Sequence, residues 1–291
     1  AAKKARRIGS SFDTDAPTGL SLLPPPLPDA VDFDDLIRRY PGDAIPIGLI
    51  DRPEHAENEV YWWRPGQSSL IVAGTPRTGV GSLLDLIALG TAQRTAADDL
   101  HVYAIDGLPQ RQRAFAALPH LGDVIGPDDW ASTEALIDAL HGEVVERLEA
   151  PEGKRPDLLL LIGDLGRVRR AIPLERIDEI IARLQMIVAD GHRVGVSVVA
   201  IASRSQDLAD LMTGAGDRLV ADLTDPADRG RLGAPVAGPN DRVTRRCWST
   251  HRDRRVQLAT PPNDMEAAVA LAAPEPADHC HPASFVPGVA P

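Results

Sequence analysis

Residues 71–90 read IVAGTPRTGVGSLLDLIALG: an apolar run, a loop opened by Gly74 and closed by Gly79, and a helical pattern from Ser82. A loop of this outline between a strand and a helix binds phosphate. Its glycines let backbone amides approach the anion, a lysine after the second glycine meets the β and γ phosphates, and the next residue's hydroxyl holds magnesium. Here Thr75, Pro76, Arg77 and Thr78 fill the interval, while Val80 and Gly81 stand in the lysine and hydroxyl positions. The helix start still offers amides to an anion. Valine brings no charge, and Ser82 lies one residue past the usual hydroxyl. The stretch Gly74–Ser82 is therefore either an ordinary glycine-rich turn or a nucleotide-shaped cradle without its catalytic side chains.

A hydrolytic loop of this kind also needs an acid at the end of a buried strand to orient magnesium, often followed by a second that activates water. The run DLLLLIGD, 157–164, ends in Gly163 and Asp164. With Gly163 in the first place, magnesium support is missing and only Asp164 remains as a catalytic candidate. A strand-end cap of a turn is its plainer role.

The elements that must position these residues follow from periodicity. SSLIVAG from residue 68, DLHVYAID (99–106), DLLLLIGD and GVSVVAIAS (195–203) read as buried strands, GDVIG (122–126) as a short one, and DRLVADL (217–223) as an edge strand. Helical spacing appears at 82–93, 132–149 and 174–190, the last with Leu174, Ile177, Ile181, Leu184 and Val188 on one stripe. Alternating strands and helices imply right-handed crossovers in a mostly parallel α/β sheet. A short helix fits 32–40. AIPIGLIDRP reads as an edge strand because Pro46 cannot serve a central one. Residues 243–260 suggest a hairpin turning near His251, with its arginines on a wet outer face, and 264–272 a short helix before a loose tail. The divisions expected are a proline-rich arm (1–30), one domain (31–262) and a helix with a tail or linker (263–291).

With 291 residues the chain can bury a large core, and its net charge of −11 argues against general nucleic-acid coating. No apolar run is long enough to span a bilayer. The start without methionine and the ragged end suit a fragment. Cys247 and Cys280 lack metal or disulfide spacing, and His251, His279 and Cys280 form no coherent ligand set, so no metal site is expected. Arg77, Arg167, Arg169, Arg170 and Arg204 are candidates for anion or neighbour contacts, against a plain surface role. Arg242, Arg245, Arg246, Arg252, Arg254 and Arg255 near Trp248 allow a nucleic-acid or acidic-partner face. Tyr61, Trp62 and Trp63, His101 and His120 read as packing residues.

In their order, LPPPLPDAVDFDDL, IPIGLIDRP, SLIVAGTPRTGVGSLLDLIALG, DDLHVYAIDG, ALPHLGDVIG, RPDLLLLIGDLG, GVSVVAIASR, DRLVADLTDPADRGRLG and RRVQLATPP resemble the FtsK/SpoIIIE-type P-loop ATPase domains over about residues 22–262. The likeness is to the tandem modules of EccC ATPases and to relatives fused to forkhead-associated domains. It implies a RecA-like P-loop NTPase fold of the additional-strand FtsK type, working in rings or stacks. It also implies neighbouring modules or ring subunits as partners, a helical protein as possible substrate, and a place on the cytoplasmic side of a membrane. The departures at Val80, Gly81 and Gly163 imply a degenerate module of a type VII-like protein-secretion machine. ATP would be held weakly or not at all, and magnesium is poorly supported. The alternatives are an active DNA or protein translocase with an atypical loop, and a purely structural module.

Overall fold

The computed structural model describes residues 26–55, 57–151, 153–272 and 282–286. In chain order the strands are β1 (Ile45–Arg52), β2 (Glu57–Trp63), β3 (Leu70–Ala73), β4 (Leu100–Ile105), β5 (Leu121–Ile125), β6 (Asp157–Ile162), β7 (Val196–Ala202), β8 (Asp217–Val220), β9 (Arg246–Ser249) and β10 (Arg254–Leu258). The helices are α1 (Phe33–Arg39), α2 (Ser82–Arg94), α3 (Pro109–Ala116), α4 (Trp130–Glu149), α5 (Leu165–Ala171), α6 (Leu174–Asp190), α7 (Ser205–Leu208), α8 (Pro226–Arg231) and α9 (Met265–Ala272). Aspartates start several of them: Asp32 accepts the Asp35 amide at 3.0 Å and Asp129 the Ser132 amide at 3.1 Å, satisfying donors that a helix start leaves open.

One ten-stranded sheet runs β2-β1-β10-β9-β8-β3-β7-β6-β4-β5. The half from β8 to β5 is parallel, and the half from β8 to β2 is antiparallel. Strand β3 lies inside the parallel half, between β8 and β7, with Val72 between Ile201 and Leu219, and all four of its residues are buried. Its unbroken apolar run has the reason expected: both faces are covered. On one face Phe33, Leu84, Ile87, Phe115 and Val269 from α1, α2, α3 and α9 form a core with Val72 and Leu161. On the other, Leu136, Leu140, Val168, Ile180 and Leu184 from α4, α5 and α6 pack on Ile71 and Leu160. The result is a mixed, mostly parallel sheet between helices, as the alternation of strands and helices implied.

Several expectations are corrected. Strand β1 is not an edge: it pairs with both β2 and β10. Pro46 is tolerated because β10 reaches only Gly48–Ile50, and a bulge between Pro46 and Gly48 shifts the register against β2. Strand β8 is interior as well, between β3 and β9, and its polar Asp217 is absorbed by Tyr61, Ser249 Oγ and the His251 amide. The β9–β10 hairpin sits inside the sheet, so Arg246 is 4% exposed instead of lying on a wet face. Leu174 is 86% exposed and leaves the stripe that Ile181, Leu184 and Val188 keep. Short helices α3, α5, α7 and α8 have too few turns to print a period.

Most of the proline-rich arm and of the tail lies outside the described residues. At residues 26–30, Leu27 is buried, and the Leu27 and Pro28 carbonyls accept from Arg246 Nη2. Residues 282–286 lie on the protein rather than hanging loose. Phe285 stacks on Tyr103 with ring centres 5.0 Å apart, its amide donates to Asp123, and Val286 is buried.

Arg246 also donates to Gln257 Oε1 at 2.6 Å, so one buried cation joins the arm to the hairpin. Arg246→Ala should lower unfolding stability by about 2–4 kcal/mol, the cost of stranding buried acceptors. Denaturant titration measures it, with Arg242→Ala, an exposed neighbour, expected to change little.

Candidate functional site

Parallel strands β3, β4, β6 and β7 deliver their carboxyl ends to one crevice, the usual place for ligands in such sheets. A cavity of about 400 Å³ there is bordered by the 74–82 loop, the ends of β4 and β6, and Arg245 from the segment before β9. The loop's anchor is firm: the Gly74 amide donates to Ala202 O at 3.0 Å, and Ala221 N donates to Ala73 O at 2.8 Å.

Within the loop, Pro76–Thr78 form a 3-10 turn closed by Gly79 at φ 74°, a left-handed value that glycine accepts without strain. The amides of Thr78, Gly79 and Ser82 are spent on the carbonyls of Thr75, Pro76 and Gly79. The amides of Val80 and Gly81 donate to no protein acceptor among the described residues, and both residues border the cavity. Val80 does more than lack charge. It is 1% exposed, belongs to the core, and fills the space beside Gly74. Ser82 Oγ donates to Gly79 O at 2.8 Å and accepts from Arg245 Nε at 3.1 Å, so its hydroxyl fixes the loop to Arg245.

Strands β4 and β6 are neighbours with Ile105 beside Ile162, which sets Asp106 next to Gly163. A Cβ at Gly163 would lie 2.0 Å from Asp106 Oδ2, so the volume a side chain at 163 would need already holds the Asp106 carboxylate. Asp106 is 1% exposed; Oδ1 accepts the Leu108 amide at 2.7 Å and Oδ2 accepts Arg111 Nη1 at 2.8 Å. Arg111, 7% exposed, also donates to Asp85 Oδ1 at 2.8 Å and to Gly81 O at 2.9 Å. Burial opposes its charge, yet the bonds and attraction of Asp85 and Asp106 together raise its pKa above the ordinary arginine value. A guanidinium thus lies beneath the loop, but its donors are turned to carboxylates and a carbonyl.

Asp164 caps α5, its Oδ1 accepting the Arg167 amide at 3.0 Å, and it borders the cavity beside Arg167, which is paired with Asp128. Arg77 is exposed and faces a separate hollow near Asp222 and Asp241. Arg169 bonds Asp210, and Arg204 lies 3.4 Å from Asp207; neither borders the loop cavity. The other hairpin arginines are dispersed: Arg255 bonds Asp241 and covers the Trp248 ring, Arg254 reaches Glu54, and Arg252 lies over Tyr61. Tyr61 and Trp63 are buried and Trp62 is 38% exposed; they line a cleft at the amino ends of β3 and β8, away from the loop. His120 is fully buried, with Nε2 2.9 Å from Thr95 O, and burial lowers the pKa of His101. Among the described residues His55, Glu57 and Glu59 bring ligand atoms within 4.8 Å of one another, but His55 and Glu57 are exposed and Glu59 already accepts from Arg52. His279 and Cys280 lie outside the described residues.

Sequence patterns passed over Asp85, Asp106, Arg111 and Arg245's place at the loop. Asp106 ends DLHVYAID as Asp164 ends DLLLLIGD, and Pro109 marks the start of the helix that carries Arg111.

No family model matches the chain. Its sequence is 25% identical over 227 residues to the ESX-5 secretion system protein EccC5 of Mycobacterium marinum, a match covering 64% of this chain and 16% of EccC5. The chain therefore spans only a small part of that relative's length. In fold it is similar to EssC (ATPases 2 and 3) from Geobacillus thermodenitrificans, with TM-score 0.70 and 19% identity over 87% of this chain and 54% of that one. It is also similar to the cytoplasmic domain of the Thermomonospora curvata type VII secretion ATPase EccC, with TM-score 0.65 and 20% identity over 90% of this chain and 36% of that one. By sequence shared with EccC5 and a fold shared with EccC and EssC, the chain is a homologue, at family level, of the FtsK/SpoIIIE-type ATPase modules of type VII secretion proteins.

Proposed function

We propose that the chain is a degenerate ATPase module of a larger membrane-associated translocation machine for protein secretion. It works on the cytoplasmic side, recognising a substrate or partner or assembling with neighbouring modules. Nucleotide is held weakly, and ATP turnover is weak or absent. One observation carries this reading: the position where magnesium would need its carboxylate is Gly163, and the space beside it is filled by Asp106 with both oxygens already engaged. Phosphoryl transfer relies on positioned charge for nearly all its acceleration. At this loop the lysine position is a buried valine, and the nearby guanidinium is consumed by Asp85 and Asp106.

Two outcomes are expected. Phosphate release from ATP by the purified chain should stay below about 0.01 s⁻¹, well under the ~1 s⁻¹ floor of ordinary enzymes, and Val80→Lys should leave it there. Steady turnover by that single variant defeats the reading. Gly163→Asp should destabilise the fold by about 2–4 kcal/mol through overlap and like charge, and Asp106→Gly in the same chain should recover much of the loss. Equal denaturation midpoints for Gly163→Asp and the parent sequence would remove the Asp106 argument.

A further inference from the structure

The loop cavity has two electrically different ends. Toward β9 stands Arg245, held by three bonds: its amide donates to Thr78 O at 2.6 Å, its carbonyl accepts Leu258 N at 3.0 Å, and its Nε donates to Ser82 Oγ at 3.1 Å. Its φ of 63° is rare for a residue with a side chain, and Gly79 leaves the room its Cγ needs. Among the described residues bordering the cavity, Arg245 is the cation without a carboxylate partner, since Arg111 is bound to Asp85 and Asp106 and Arg167 to Asp128. Nε is spent, so the terminal nitrogens keep their donors. Val80 and Gly81, whose amides donate to no protein acceptor among the described residues, border the same cavity.

Toward β4 and β6 the balance reverses. Asp85, Asp106 and Asp164 border that end, and Arg111 offsets only one of the three charges. A third phosphate would extend toward these carboxylates with neither lysine nor supported metal between them, and like charges in a half-enclosed site repel strongly.

We propose that the cavity holds a nucleoside diphosphate without a divalent metal, in preference to the triphosphate, with Arg245 and the Val80 and Gly81 amides binding its terminal phosphate. This rests on the nucleotide-holding reading above and adds the ligand's charge state and the residue that selects it. Arginine suits the task because its planar fork meets two phosphate oxygens at once.

Calorimetry on the purified chain, titrated with ADP and with ATP, each in EDTA and in excess magnesium, tests it. ADP in EDTA should bind at least about tenfold more tightly than ATP, and magnesium should change ADP affinity by less than about threefold. Arg245→Gln should weaken ADP at least about tenfold, Arg245→Lys should keep part of that affinity, and Asp164→Asn should narrow the gap between the two nucleotides. Thermal melts of each variant separate a folding defect from a lost contact; were Arg245→Gln to melt early, the magnesium dependence of the parent chain decides. ATP binding more tightly than ADP, ADP binding that requires magnesium, or a folded Arg245→Gln variant with undiminished ADP affinity each overturn the proposal. Binding of neither nucleotide overturns the nucleotide-holding reading itself, and this inference with it.

Discussion

The buried pair of Asp106 and Arg111 organises everything around the loop. Two charges removed from water are tolerable only when each is fully partnered, and breaking such a pair by removing one member costs about 3–5 kcal/mol. Here Asp106 is satisfied by the Leu108 amide and Arg111, while Arg111 is satisfied by Asp85 and the Gly81 carbonyl as well. The end of β4, the starts of α2 and α3, and the loop itself are therefore one electrostatic unit. Gly163 at the end of β6 is the space this unit requires. Its lack of a side chain is a packing demand.

The antiparallel half of the sheet is tied to the same place. The Arg245 amide reaches Thr78 O and its carbonyl takes Leu258 N, so the segment before β9 is bonded on one side to β10 and on the other to the loop. Ser82, one residue beyond the hydroxyl position of an active loop, becomes the link between the two halves. A loop with a buried valine at position 80 thus keeps a fixed shape through contacts that lie outside the strand–loop–helix unit.

The sequence made the parallel half of the fold legible and the site only in outline. The α6 period marked 174–190 at its actual limits, and DLLLLIGD and GVSVVAIAS announced β6 and β7 because a strand covered on both faces shows no polar alternation. Pro46 and Asp217 misled because local chemistry does not reveal how far a neighbouring strand extends or which hydroxyls will meet a carboxylate. Val80, Gly81 and Gly163 were readable as departures from an active loop. What replaces them was not. The contact between Asp106 and the space at Gly163 depends on β4 and β6 lying side by side in register, and Arg245 reaches the loop only through the order of strands at the centre of the sheet.

Among the described residues β2 ends the sheet on its antiparallel side, and an edge of this kind is an invitation to another extended chain. Its first three residues are Glu57, Asn58 and Glu59, Glu59 is bonded to Arg52, and Arg52 and Arg254 both hold Glu54 in the adjoining turn. Such a charged fringe discourages open-ended strand-to-strand growth. The sheet is thereby kept from seeding fibres at this edge.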